Sequence, residues 1–273
     1  MLRVRFLVLL SACLVATGAC SVGASASTGP SATTGGSNSP ATPTTTATVL
    51  PSASAAASPS FFVGTCPNPE GDIANTCLGT VQAGTYTTKT FYPYMTYTVP
   101  AGWSDMEDLP GNFVLIPPGA TLDGINAGTS DYLGVYAAVA APDHCLGQPS
   151  DTVPQTFDGL LGWLKHDPAI IVSNVKEVTI GGLSGTVLDT RMRGTKGDGC
   201  PDGVWADLIV GVDNSSLVHS VGPDPATRTR LYLLRNGTEV LAIEVADVPN
   251  GQSSAADWFK AATPVVQSLS FSK

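Results

Sequence analysis

Between Arg228 and Val245 two apolar runs are separated by Asn236-Gly237. An Asn-Gly step supplies the positive φ angles of a type I′ turn, the turn whose twist matches paired antiparallel strands. This stretch therefore reads as a β-hairpin, and it constrains the fold more than any other local signal in the chain. Further strands are expected around it. The Thr/Tyr-rich segment Thr85 to Val99 is one, broken at Pro93; Asn112 to Ile116 is another. Tyr132 to Ala140 is a continuous apolar run suited to a single central strand. Val172 to Ile180 and Thr186 to Met192 flank a turn at Gly181-Gly182, and Trp205 to Val212 completes the set.

Two helices are expected. Phe157, Leu160, Leu161 and Leu164 recur at helical spacing, with Thr156 as cap and Asp167-Pro168 as stop. A second begins near Ser254, with Asp257 in capping-box position and Pro264 kinking or interrupting it before a last strand at Ser268 to Phe271. Abundant Val, Gly, Thr and Pro with few Lys and Glu favours strands and turns. Six or more strands and two short helices without strict alternation predict an α+β layered domain.

The N-terminus has a different character. Arg3 and Arg5 precede an apolar stretch from Phe6 to Val15, then small residues lead to Cys20. This arrangement resembles a bacterial lipoprotein export signal, which implies a leader over 1–19 and lipidation of Cys20, with Cys13 as the rival position. Phe6 to Ala19 falls short of the roughly 20 residues of a membrane-spanning helix. Residues 21–60 carry no charge and no aromatic, being almost wholly Ser, Thr, Ala, Gly and Pro. Such a composition cannot offset the entropy of ordering, so 20–60 is expected to be a disordered tether spanning about 35 Å. Residues 61–273 then form a single domain, in a protein anchored to the cell membrane and facing the extracellular or periplasmic side.

Removal of the leader takes away two arginines and leaves 11 basic against 22 acidic residues. An acidic surface without a basic block argues against nucleic acid. Four cysteines, Cys66, Cys77, Cys145 and Cys200, fall in the domain. In an exported chain an even count reads as two disulfides. Three pairings exist; Cys66–Cys77 with Cys145–Cys200 is the favoured one. With no C-x-x-C, no metal site is expected.

The series Phe91-x-Pro93, then Tyr97-Thr98-Val99-Pro100-x-Gly102-Trp103, resembles the opening of PsbP-like and LpqN-like exported domains. Val178-Thr179-Ile180-Gly181-Gly182-Leu183-Ser184-Gly185 and the terminal helix leading into Ser268-Leu269-Ser270-Phe271 fit the same pattern. The resemblance implies an antiparallel sheet flanked by short helices and brings no catalytic residues. The Cys66/Cys77 segment and an insert from Gly119 to Ser130 depart from the pattern.

No catalytic set stands out. The serine elbow G-x-S-x-G is absent, and Gly181-Gly182-x-x-Gly185 lacks the helix and lysine of a phosphate loop. His144, His166 and His219 read as loop, helix-end and strand-end residues, and the acidic loop Asp198 to Gly203 lacks the ligand spacing of a calcium site. One constellation remains. Asp189, Arg191 and Arg193 alternate on one strand face, and Arg228, Arg230 and Tyr232 repeat that spacing. Neighbouring strands would gather Arg191, Arg193, Arg228 and Arg230 into an anion or partner patch, or into ion pairs with Asp189 or Glu244. The expected role is a non-enzymatic binding or accessory module without a cofactor, whose partner is a protein or small molecule. The alternatives are a carrier of an apolar ligand such as a lipid, and a hydrolase.

Overall fold

In the computed structural model, which describes residues 79–143, 146–194, 205–213, 217–224, 226–248 and 250–272, strands dominate. The chain runs β1 (Gly79–Thr80), β2 (Gly84–Thr87), β3 (Met95–Val99), β4 (Ser104–Leu109), β5 (Asn112–Ile116), α1 (Leu122–Ala127), β6 (Tyr132–Tyr136) and β7 (Val139–Ala140). It continues through β8 (Pro142–Asp143), β9 (Gln148–Pro149), α2 (Phe157–His166), β10 (Ile170–Ile180), β11 (Leu183–Met192), β12 (Ala206–Gly211) and β13 (Val218–Val221). The hairpin β14 (Thr229–Asn236) and β15 (Glu239–Ala246) follows, then α3 (Ala255–Ser268) and β16 (Ser270–Phe271). No helix among the described residues is long and apolar enough to cross a membrane.

Eight strands form one antiparallel sheet in the order β1-β4-β5-β6-β15-β14-β11-β10, which puts the Arg228–Val245 hairpin in its interior. The turn differs from the expected one. Asn236 pairs with Glu239, so the two-residue loop is Gly237-Thr238, and of these only Gly237 has positive φ, at 65°. A positive φ at the first central position alone is the II′ pattern. The I′ pattern occurs instead at Gly181-Gly182, where both residues are positive, at 57° and 82°.

Both helices form on their predicted caps. The Thr156 hydroxyl accepts from Gly159 N (3.2 Å), and Ser254 accepts from Asp257 N (3.3 Å). Pro264 does not interrupt α3, which runs on to Ser268. Its last turns are held by burial of Val265 and Val266, and the Thr263 hydroxyl bonds back to Phe259 O at 2.6 Å.

Each face of the sheet's central strands is covered. Val187, Tyr232, Leu234, Leu241, Ile243, Val245, Leu133, Val135, Phe113 and Leu115 meet α3 and the small sheet β16-β3-β2. Alternate residues, among them Leu188, Leu231, Leu233, Val240 and Ala242, meet α2 and a second small sheet, β13-β12-β7. A third cluster, around Val114, Ile116, Ile125 and Tyr132, lies on that second face beside α1. Burial on both sides explains why β5, β6, β14 and β15 read as near-continuous apolar runs.

One expectation about extent fails. Tyr132 to Ala140 is two strands in two sheets: at Ala137-Ala138, where Ala138 takes φ 50°, the chain leaves the main sheet for the one containing β12. The insert from Gly119 to Ser130 contains α1, with Thr121 as cap and Gly128 in the left-handed conformation at its end.

Loop placement follows from single carboxylates. Asp108 accepts three successive backbone N–H groups, from Lys89 (2.6 Å), Thr90 (3.1 Å) and Phe91 (2.7 Å). That grip fixes the β2–β3 loop, with its cis Tyr92-Pro93 bond, and leaves Tyr92 and Tyr94 exposed at its tip.

Candidate functional site

The predicted arginine constellation lies on adjacent strands, since Asp189 on β11 faces Arg230 on β14. Arg230 does not stand free for a ligand: Nε and Nη2 donate to Asp189 Oδ1 (2.6 Å) and Oδ2 (3.0 Å), a bidentate fork. Asn174, at φ 52° in the bulge of β10, donates to the same carboxylate at 2.8 Å, and the guanidinium lies 4.4 Å from the Phe259 ring centroid. Arg193 Nε and Nη2 donate to the carbonyls of Pro168 (3.0 Å) and Ile170 (3.3 Å), and Arg228 Nη1 to Thr227 O at 3.0 Å. Arg191 is half-buried opposite Ile171. Glu244 is not the second acid of this group, because the alternation of β15 sends it to the opposite face. Cys20, Cys66, Cys77, Cys145, Cys200 and the Asp198–Gly203 loop lie outside the described residues.

Glu244 is instead the centre of a buried polar cluster. Gly134 faces it directly on β6, and Tyr132 and Tyr136 flank that position diagonally. The glycine is required: a Cβ there would overlap the Tyr136 hydroxyl. Both phenols donate to Glu244 Oε2 at 3.1 Å, and His219 Nδ1 reaches the same oxygen at 2.7 Å. The imidazole arrives from β13, on the sheet that covers this face, and lies tilted against Tyr136 with ring centroids 4.1 Å apart. Burial first, then the Glu244 carboxylate, pushes both phenols well above their ordinary range, so they remain donors. Asn112 Nδ2 donates to Glu107 at 2.6 Å near the same place, and burial raises that carboxyl also.

His219 was expected at a strand end near the surface. It is buried, and the signal that could have found it was Glu244, a lone acid inside the apolar run of β15. A buried carboxylate demands partners, and Tyr132-x-Gly134-x-Tyr136 is the spacing that supplies two of them on one strand face. The His219–Glu244 pair lies within hydrogen-bond reach but buried inside a filled layer, so it orders the second face.

A second carboxylate cluster secures the approach to α3. Asp131 accepts from Val248 N and Gln252 N (both 3.1 Å) and from Ser253 N (3.3 Å). Beside it the Asp247 carboxyl is pushed up to about 7, by burial and then by the Asp131 charge, against the opposing pull of Arg228. No three His, Cys, Asp or Glu side chains gather as a metal site among the described residues.

A concave surface lies elsewhere among the described residues. An open groove of about 420 Å³ lies where β10 and β11 extend past the start of α2, lined by Phe157, Glu177, Thr179, Ser184, Thr186 and Arg235. It is open and of mixed character, with Phe157 and Val178 beside its polar side chains, and not the apolar enclosure that a lipid carrier requires.

No family model matches the chain, and no curated protein does. Among solved structures the chain is similar to the solution structure of cyanobacterial PsbP (CyanoP) from Synechocystis sp. PCC 6803, at 11% identity and a TM-score of 0.33. That likeness covers 70% of this chain and 94% of the other. At such a TM-score it carries no weight for fold or function, and strand order and register define the architecture.

Two outcomes follow from the buried acids. Glu244→Leu strands two phenols and an imidazole without their acceptor, which should cost about 3–5 kcal/mol in urea unfolding. Because His219 acts through the same oxygen, His219→Leu combined with Glu244→Leu should cost clearly less than the sum of the single changes; additivity would contradict the coupling. For Asp247, a folded value of about 7 against an ordinary carboxyl near 3.8 means that the folded state holds the extra proton. Its stabilising contribution is complete below about pH 4 and is lost as the pH rises through 7. Asp247→Asn should therefore raise the melting temperature at pH 8 more than at pH 5; an equal shift at both would contradict the assignment.

Proposed function

We propose that this chain is an exported, membrane-tethered lipoprotein whose α+β domain acts as a non-enzymatic binding or accessory module on the outer side of the cell membrane. In this reading Cys20 carries the lipid, 21–60 forms the spacer, and the domain belongs with the PsbP-like and LpqN-like exported domains that its sequence resembles. One lipid chain holds only marginally and two hold stably, so a doubly acylated cysteine suffices as an anchor.

The observation that carries the binding role is a contrast within the domain. Side chains fill both layers around the central sheet, while the groove beside β10 is open and of mixed character. A filled interior favours an interaction module over a carrier of apolar ligands, and the closed setting of His219 and Glu244 favours it over a hydrolase. Among the described residues Arg191 is the arginine without a hydrogen-bond acceptor, and with the exposed Tyr92 and Tyr94 it offers surface to a partner.

Recovery of the tagged full chain from its native envelope tests this reading. Cys20→Ala should release the protein from membranes or block its processing; a variant still membrane-bound at the normal mature size would refute the anchor. The unaltered chain should bring down a reproducible envelope component, and Arg191→Ala should reduce that recovery at unchanged melting temperature. Recovery unaffected by Arg191→Ala would remove the arginine patch from the account, and no recovered component would remove the binding role.

A further inference from the structure

The groove beside β10 has a chemistry specific enough to name a ligand class. Glu177 faces Thr186 across the β10–β11 ladder, and Thr179 faces Ser184 two residues on, so four polar side chains form an array on one sheet face. Further along β11 the same face carries Leu188 and Met192 under α2. The polar array thus begins where the helix stops covering the sheet. One wall rises beside it. Phe157 opens α2, and the Arg235 guanidinium lies 3.8 Å from the Phe157 ring centroid, with Nη2 donating to Asp158 Oδ1 at 2.8 Å. Arg235 is held from two sides, so little side-chain freedom is lost when a ligand meets it.

The balance of charge and polarity selects among ligands. Asp158 already pairs Arg235, and Glu177 adds a negative charge to the lining, so the groove does not favour phosphate, sulfate or carboxylate ligands. The groove is open, and five polar side chains line it beside Phe157 and Val178, which disfavours acyl chains that need an enclosed apolar site. What remains is donors and acceptors in mixture: guanidinium N–H groups, a carboxylate, and three hydroxyls that each donate and accept. At about 420 Å³ the groove has the volume of small-ligand sites.

We infer that this groove binds a neutral saccharide, a short stretch of sugar chain whose hydroxyls are met by Glu177, Thr179, Ser184, Thr186 and Arg235. The inference rests on the reading of the domain as a binding module and names the ligand class of one of its surfaces. Neutral sugars both donate and accept at every hydroxyl, and they bring no charge for Glu177 to repel.

The test is titration of the ¹⁵N-labelled full chain, in a detergent without a sugar headgroup, with maltose, cellobiose, mannobiose and chitobiose. A sulfated disaccharide and laurate serve as charged and apolar competitors. At least one neutral disaccharide should shift the amides of 177–186 and of Arg235 in a saturable way. Ser184→Ala with Thr186→Val removes two hydroxyls at nearly constant shape and should weaken that binding by roughly tenfold or more while leaving the melting temperature within error. Absence of saturable shifts with all four sugars, tighter binding of the sulfated sugar or of laurate in the groove, or unchanged affinity in the double variant would each overturn the inference. If sugars fail while the full chain still recovers an envelope component in an Arg191-dependent way, the saccharide site alone is refuted. Failure of both refutes the binding role with it.

Discussion

Burial of the β14–β15 hairpin on both faces is the constraint on which the rest of the domain depends. Most antiparallel sheets cover one face and expose the other. Here Leu231, Leu233 and Ala242 point into one layer while Tyr232, Leu234, Leu241 and Ile243 point into the other. The strands beside the hairpin, β6 and β11, must supply apolar residues to both sides as well. Each face then needs its own cover, and the chain provides one twice over: a helix and a three-stranded sheet on each side. Close strand approach within this sheet leaves no room at Gly185, where a Cβ would run into the Leu233 carbonyl.

The central strands of such a sheet have no solvent face on which to place a polar side chain cheaply, so the polar groups within them come with partners. Glu244 has two phenols and an imidazole, Asp189 has an arginine fork and an asparagine, and Tyr97 donates to the buried Asp105 at 3.0 Å. Asp108 of the acidic strand β4 and Asp131 before β6 accept backbone N–H groups instead, Asp108 holding the β2–β3 loop and Asp131 the turn before α3. The negative charge of this chain is thus partly internal architecture, set where loops have to be fixed to sheets.

Legibility in the sequence followed the range of the interactions. Helix α2 begins after Thr156 and ends before Asp167 as the spacing predicts, because its stripe and its caps lie within about three turns of chain. The hairpins at Gly181-Gly182 and around Gly237 were readable for the same reason; only the register of the second turn needed the pairing of Asn236 with Glu239. What depended on distant partners was not readable. The apolar run from Tyr132 to Ala140 gives no sign of where it changes sheets, because the bend at Ala138 is set by pairing of β7 with β12, some 70 residues away. Strand β4 hides behind its acids, among them Asp108, whose acceptor role involves residues 89–91. Likewise the spacing of Asp189 with Arg230 was visible, while their commitment to each other, and the assignment of Glu244 to the opposite face, required the register.

This arrangement separates a rigid, filled interior from the features proposed to act at the surface: the groove past α2, the Tyr92/Tyr94 tip and Arg191. Native-state hydrogen exchange measures that separation most directly, because amides are resolved by how far the structure must open to expose them. Amides of β14 and β15 should exchange only through global unfolding, with the full denaturant dependence of the whole domain, while the outer strand β10 opens at lower free energy. Exchange of the central hairpin by local opening, at or below the free energy of β10, would contradict the claim that burial of this hairpin on both faces holds the domain together.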